Sequence, residues 1–384
     1  MPILFFILAV FFFVLALHPF ATYPLSLRVL RKRFARPLQP VALEKPLTYA
    51  ICVCAYNERN VIAAKAENLM ALKKAIPGLE VYIYVDAASD GTADVLKAWE
   101  NEFTIHVSPD RHGKTYGMNL LVGMAKADVV IFTDANVMLD VASIPALGRY
   151  FADPEVGCVC GHLIYVNGEG ESQTAANGSL YWKLEEHIKQ LEFETGSTMG
   201  ADGSIFAIRR SLHNPPPADI IDDMFVSFSI LIAGSRIVRA PDVIAYEESV
   251  TVAKEEFRRK VRIACQAFNV HRLMWPQLRQ LPALDYYKYV SHKLVRWFTL
   301  YWLVLSGLFF MAALAAAGYL WLALLLPLLG VVGLVAGLKL NIKPVVQVAD
   351  ILYAFAATAL GVLRSIKGDR FQTWNPAQSI RKSK

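Results

Sequence analysis

Between residues 47 and 133 the chain switches repeatedly between two spacings of apolar residues. Leu47 to Ala55 is a continuous apolar run of strand length, and Asn60 to Ile76 sets Val61, Leu69, Leu72 and Ile76 at helical spacing. Glu80 to Val85 reads as a second strand and a helix follows Thr92. Thr104 to Val107 is short and extended, Thr115 to Lys126 is helical, and Val129 to Thr133 is an apolar strand. Repeated β-α units with apolar strands predict an α/β fold on a largely parallel sheet with helices on both faces. Such sheets bind ligands beyond the carboxyl ends of their strands. Here those exits are polar: Tyr56-Asn57-Glu58 after Ala55, then Asp86, then Asp134-Ala135-Asn136.

The two ends follow another pattern. Ile3 to Leu17 carries no charge, and the apolar character continues weakly to Leu27. The segment lacks the basic start and small-residue cleavage site of a secretory signal, so residues 1–27 are expected to anchor the chain in a membrane. Arg28, Arg31, Lys32, Arg33 and Arg36 follow within a basic linker over 28–46. By the positive-inside tendency they put that linker and the domain over 47–252 in the cytosol. Residues 253–294 read as interfacial helices, with Glu255 to Phe268 amphipathic. The C-terminal membrane block spans 295–366. Trp297 to Leu338 holds no charged residue and suffices for two spanning helices turning at Gly318-Tyr319. The next run, Val345 to Ile366, contains Gln347, Asp350 and Arg364. The tail over 367–384 is basic (Lys367, Arg370, Arg381, Lys382, Lys384) and is expected in the cytosol. Two crossings, with one of the three runs re-entrant or interfacial, reconcile these features.

Composition agrees: 55 % of the 384 residues are hydrophobic, and the excess sits at the two ends. The net charge of +6 is modest, and no basic stripe interleaved with aromatics points to nucleic acid. The cysteines include two C-x-C pairs, Cys52/Cys54 and Cys158/Cys160, both inside apolar strand-like runs. Zinc ligands usually come from turns with wider spacing, so buried reduced thiols are the better reading.

Several residues carry candidate chemistry. Asp134 and Asn136 can present two oxygens to one Mg²⁺ or Mn²⁺ bridging a diphosphate, or they can simply cap a helix. Asp86, in a turn with Ser89, Asp90 and Gly91, can bind a ribose or base edge. Arg111-His112-Gly113-Lys114 precedes a helix, where a cation and free N–H groups suit phosphate. The Asp222-Asp223 pair sits between Ile220-Ile221 and Met224-Phe225-Val226, so at least one carboxylate points inward and can serve as a base. Arg259 and Arg262, three apart, share a helix face that suits a leaving diphosphate or anionic headgroups.

The stretch from 48 to 275 resembles the family 2 glycosyltransferases, membrane enzymes with a cytosol-facing GT-A catalytic domain. It is most similar to the branch containing cellulose synthase and poly-N-acetylglucosamine synthase. Ala55-Tyr56-Asn57-Glu58 looks like that family's first nucleotide-contacting turn, and Asp86 to Thr92 its aspartate-bearing second strand exit. Gly113-Lys114 with Asn119 matches its G-K-x-x-x-x-N signature, and Asp134-Ala135-Asn136 occupies its D-x-D position. Ser291-His292-Lys293 to Trp297 and Lys367-Gly368 to Trp374 also resemble membrane members.

The resemblance implies an inverting transfer from a nucleotide-sugar, UDP-linked, to a lipid-linked or polysaccharide acceptor. It makes Ala55, Tyr56, Glu58, Asp86, Lys114, Asp134, Arg259 and Arg262 the donor site, and Asp134 and Asn136 the holders of Mg²⁺ or Mn²⁺. It makes Asp223 the catalytic base with Asp222 beside it, and Gly200, Asp202 and Gly203 the acceptor side. Two positions depart from the pattern. Asn136 replaces the second acid of D-x-D, and Arg259 to Ile263 replaces Q-x-x-R-W, whose Trp offers a platform to a growing sugar chain. Single transfers to a lipid-linked acceptor are therefore expected. The rivals are a processive polysaccharide synthase, a nucleotidyltransferase, and a non-catalytic membrane assembly subunit of the same fold.

Overall fold

A computed structural model describes residues 1–43, 45–166, 173–248 and 253–373, without the side chains of 173–181 and 253. Trp374 and the basic positions Arg381, Lys382 and Lys384 lie outside the described residues. Eight strands form one sheet: β1 Tyr49–Ala55, β2 Glu80–Asp86, β3 Thr104–Ser108, β4 Val129–Asp134, β5 Met138–Leu139, β6 Val156–Val166, β7 Ile205–Arg209 and β8 Arg236–Glu248. Their order is β3-β2-β1-β4-β7-β6-β8-β5. The β3-β2-β1-β4 half is parallel throughout, as the β-α spacing predicts. Beyond β4 the sheet is mixed: β7 runs antiparallel to both β4 and β6, and β5 antiparallel to β8, while β6 and β8 are parallel.

Each central strand is buried on both sides, which explains its unbroken apolar sequence. Residues two apart share a face. Cys52, Cys54, Tyr84 and Phe132 therefore enter one core layer, and Ile51, Val53, Ile83 and Ile131 the other. All five cysteines are free, and all are buried. The first long helix, Arg59–Ala75, turns Ile62, Lys65, Ala66, Leu69 and Leu72 inward. Val61 and Ile76, expected on that face, are only half-buried, and the buried stripe starts one residue later.

The N-terminal segment is two helices, Pro2–Leu17 and Thr22–Phe34, bent by 66° at the break. The first packs along the helix Thr299–Ala316, with Phe12 stacked on Trp302 and Phe309. The second lies on the domain that carries the sheet through Tyr23 and Leu27, which pack with Ile188 and Leu191. Thr299–Ala316 and Leu320–Lys339 match the expected hairpin, and Gly318 lies in the turn. The third run is one continuous helix, Lys343–Ile366. Among the described residues, these three helices are each long and apolar enough to cross a membrane. Lys343–Ile366 runs beside the amphipathic helix Ala253–Leu278, with Phe257 against Tyr353 and Ser365 Oγ bonded to Asn269 Oδ1 at 2.6 Å. Its C-terminal end therefore returns to the catalytic domain.

Candidate functional site

The strand exits converge as the spacing requires. Asn57 and Ala87, after β1 and β2, both adopt positive φ (53° and 49°), turning the chain sharply at the sheet edge. The Asn57 side chain accepts a hydrogen bond from the Ser89 N–H (2.9 Å), and the Glu58 N–H donates to Thr92 Oγ1 (2.9 Å), tying the two turns together. Ala55 is buried at the end of β1. The Tyr56 ring lies under the Arg111 guanidinium, 3.5 Å from its centroid.

Asp86 is almost wholly buried, and it organises the loop opposite. Its Oδ1 accepts the His112 N–H at 2.7 Å and its Oδ2 accepts the Gly113 N–H at 3.1 Å. The loop is thereby held in front of the helix Lys114–Met124. Both oxygens face the protein in this state, so Asp86 first positions the Arg111–Lys114 turn. The C-terminal segment packs on the same loop, with Gln372 Nε2 donating to the His112 carbonyl (3.0 Å). Sequence reasoning placed that segment in a basic tail resembling membrane members of the family, without linking it to this loop.

Lys114 is the centre of charge. Its Nζ is 2.8 Å from Asp134 Oδ1 and 3.5 Å from Asp222 Oδ2. Burial alone would depress the ammonium, but the carboxylates of Asp134 and Asp222 reverse that and hold it firmly charged. Asp222 and Asp223 open the helix Asp222–Ile232, and both carboxylates are drawn into the pocket. Burial, and then the neighbouring Asp222 carboxylate, push Asp223 up to about 7. Gly203 faces it: a Cβ there would meet Asp223 Oδ2 at 2.9 Å and Lys114 Nζ at 3.7 Å. Only glycine keeps that approach open.

The expected acceptor-side residues lie next to this pair. Gly200 takes φ +101°, and the Ala201 N–H donates to Ser227 Oγ at 3.1 Å. Asp202 accepts the Ser204 N–H (3.0 Å) and lies 3.9 Å from Lys189 Nζ. Lys293 also reaches this wall, its Nζ 4.0 Å from the Cβ position of Gly200. Behind it is a buried polar network. Glu192 accepts from Tyr23 Oη (2.5 Å) and the Met199 N–H (2.9 Å), and lies 2.7 Å from His292 Nδ1. Glu185 lies 3.1 Å from His292 Nε2 and 2.7 Å from Arg296. A π-turn, Val290–Leu294, carries His292 into this network. Glu192 and Tyr23 were not identified from sequence, because they are 169 residues apart; Lys189, paired with nearby Glu186 and Asp202, was not identified either.

On the other side of Asp134, the Asn136 Nδ2 donates to Glu247 Oε1 at 2.9 Å. Glu247 is buried at the end of β8, and its Oε2 has no hydrogen-bond partner among the described residues. Arg259 lies 3.7 Å from Glu256, and Arg262 donates to Gln266 Oε1 (3.1 Å). Burial and then Arg259 lower Arg262, whose charge is in turn supported by Asp134, Asp223 and Asp222. Both arginines are thus supported electrostatically by Asp134 of the acidic pocket. The assembled arrangement offers an all-oxygen cation site, a diphosphate-neutralising set of cations, and a carboxylate poised near neutrality.

Comparison with known proteins follows this geometry. The chain is 25 % identical over 291 residues to an N-acetylglucosaminyltransferase of Rhizobium meliloti (strain 1021), covering 69 % of this chain and 68 % of that one. A solved mannosyltransferase from Pyrobaculum calidifontis, in complex with GDP-Man and Mn²⁺, has the same fold. Its TM-score is 0.69 at 21 % identity, over 94 % of this chain and 99 % of that one. Residues 46–266 match the sequence profile described as "Glycosyltransferase like family 2". That match covers more than half of the 384 residues, and the chain belongs to glycosyltransferase family 2.

Proposed function

We propose that this glycosyltransferase moves one sugar at a time, with inversion, from a UDP-sugar to a lipid-linked acceptor at the cytosolic face of the cell membrane. The carrying observation is that Lys114 spans Asp134 and Asp222 while Asp223, against Gly203, is pushed up to about 7. One carboxylate group is thus committed to holding charge, and another is left to take a proton near neutral pH.

Tyr56, Arg111 and the loop held by Asp86 would clamp the nucleoside, with Lys114, Arg259 and Arg262 around the diphosphate. Asp134 and Asn136 would hold Mg²⁺ or Mn²⁺; the oxygen-only donor set and the partnerless oxygen on nearby Glu247 fit a hard cation. When bound, the cation neutralises charge developing on the departing diphosphate. Asp223 accepts the acceptor hydroxyl proton as the new C1–O bond forms. The bond from C1 to the diphosphate oxygen breaks, and the nucleoside diphosphate leaves with the electron pair. An α-linked donor would give a β-glycoside.

Two features support single transfer over processive synthesis. Ile263 stands where the processive signature has Trp, and it is exposed. The return of Lys343–Ile366 to the catalytic domain supports two C-terminal crossings with that helix interfacial, a small bundle for a polymer channel. The basic flank at Arg28–Arg36 supports the cytosolic orientation. The relationship to the cellulose synthase and poly-N-acetylglucosamine synthase branch remains part of this proposal, supported by the N-acetylglucosaminyltransferase relative.

The test is nucleoside diphosphate release by the purified, detergent-solubilised chain, using a panel of UDP- and GDP-sugars with Mn²⁺ or Mg²⁺, with and without membrane lipid extract. Lipid-stimulated release is expected with a UDP-sugar. Asp223→Asn should keep donor affinity and lose about 10²–10⁴-fold in turnover. Near-normal turnover in that variant would remove Asp223 as the base, and pyrophosphate release would point to a nucleotidyltransferase.

A further inference from the structure

The D-x-D position of this chain lacks its second acid, yet the pocket does not lack a second carboxylate. β5 pairs antiparallel with β8, Met138 opposite Tyr246, so the turn carrying Asp134-Ala135-Asn136 is drawn alongside the end of β8. On the other edge of β8, Tyr165 of β6 pairs with Glu247. Glu247 is thus fixed from both sides, and only 6 % of it is exposed. Its Oε1 accepts from Asn136 Nδ2 at 2.9 Å, and its Oε2 is buried without a hydrogen-bond partner among the described residues. A buried carboxylate oxygen with no partner is expensive, and a protein retains one where a ligand completes it.

The nearest candidate for a purely structural role is the cation on the neighbouring helix. Arg259 attracts Glu247 electrostatically, yet its ion-pair contact is with Glu256 (3.7 Å), and the Glu247 Oε1 stays on the Asn136 amide. Around Asn136 there are accordingly two carboxylates from different strands, Asp134 of β4 and Glu247 of β8. Asp134 is the more open of the two, with its side chain 37 % exposed and one oxygen on Lys114. Two carboxylates and an amide suit Mg²⁺ or Mn²⁺, which favour oxygen ligands and keep some waters.

We propose that Glu247 is a ligand of the divalent cation, supplying from β8 the second carboxylate that Asn136 does not provide. The proposal rests on the reading that this pocket binds a metal-bridged nucleoside diphosphate. It makes the acidic function of D-x-D a property of two strands instead of one tripeptide. Asn136 then serves as the hydrogen-bonded link that aims Glu247 between them.

The experiment is a titration of the full, detergent-solubilised chain with Mn²⁺, reading free Mn²⁺ by electron paramagnetic resonance, with UDP present and in a parallel arm GDP. Glu247→Gln should weaken Mn²⁺ binding at least about tenfold. Returning the acid to the tripeptide, in Asn136→Asp with Glu247→Gln, should bring the affinity back to within about threefold of wild type. Thermal unfolding of each variant establishes that it is folded. Wild-type affinity in folded Glu247→Gln, or failure of Asn136→Asp to rescue it, would overturn the assignment of Glu247 while leaving the enzyme reading standing. No Mn²⁺ binding by the wild type with either nucleotide would overturn the metal-dependent reading itself, and Glu247 with it.

Discussion

The edge proposed to bind the donor and the wall proposed to face the acceptor are built on opposite plans. At the donor edge, side chains leave the ends of adjacent parallel strands, and their fixing partners lie in neighbouring turns: Asn57 with Ser89, Asp86 with His112 and Gly113. The acceptor wall hangs on a buried network whose members are far apart in the chain. Glu192 meets His292 from 100 residues away and Tyr23 from 169 residues away. Tyr23 belongs to the helix after the N-terminal apolar segment, and His292 to the turn before the first long apolar helix. One buried carboxylate therefore ties the N-terminal helix pair and the start of the C-terminal apolar helices to the segment beside Gly200. The proposed donor site is local to the sheet; the proposed acceptor side is mechanically continuous with the apolar helices.

The strongest way to break that comparison is Glu192→Leu. It removes the acceptor for Tyr23, the Met199 N–H and His292 together and leaves them buried. Burial pushes the Glu192 carboxyl up, but His292 and Tyr23 outweigh it and hold the group low and charged, so the loss is that of an ionised, fully bonded partner. The expected cost is about 3–5 kcal/mol, read as a lower midpoint of thermal unfolding in detergent. Protein that remains folded should still bind nucleoside diphosphate. Equal loss of donor binding and stability would mean the two sides are one unit after all.

Lys114→Met strikes the donor edge, at the one cation bridging β4 and the Asp222 helix. It should cost about 10²–10³ in kcat/KM, the scale for removing one preorganised charge from a reacting centre, and it should also lower the unfolding midpoint, because Asp134 and Asp222 lose their cation. Gly203→Ala sits at the boundary. Its Cβ would arrive 2.9 Å from Asp223 Oδ2, so the carboxylate must turn away. A misplacement of this kind can cost about 10²-fold in turnover, with donor affinity unchanged in an isothermal titration. An unchanged kcat in Gly203→Ala would show that the acceptor is not activated at this carboxylate.

This contrast also explains what was legible in the sequence. Asp86, Lys114 and Asp134 could be placed on one edge because strand exits in a β-α pattern align by topology, and the turn residues that serve them are nearby. The parallel half of the sheet was legible for the same reason. The antiparallel half was not, since β6, β7 and β8 lack the repeating β-α spacing, and β7 enters next to β4 only through pairing across the sheet. Glu247 carried no local signal; its relation to Asn136 depends on β5 meeting β8. Lys65 was also hidden: it occupies an apolar stripe, and its Nζ bonds to the Val137 carbonyl just behind the Asp134 turn. Asn136 was visible as a departure, but its compensation lay 111 residues away.

The last test concerns pH, and it asks whether Asp223 is held as a strained group in the pocket. Burial and the adjacent Asp222 raise its folded pKa from an ordinary value of 3.8 to about 7. Between those values the folded state binds more protons than the unfolded state, so this group makes stability fall as pH rises. The full penalty is present above about pH 7 and absent below about pH 4. Asp223→Asn removes it, so the donor-free variant should unfold at a higher temperature than wild type at pH 8 and at nearly the same temperature at pH 4. The gain should be a few kcal/mol at most, and the attraction of Lys114 is already contained in the raised value. A difference that does not vary with pH would show that Asp223 is not held at a raised value. A pH-dependent gain, together with lost turnover in the same variant, would locate the conflict between stability and catalysis at the acceptor side, where an uncompensated carboxylate is what the reaction requires.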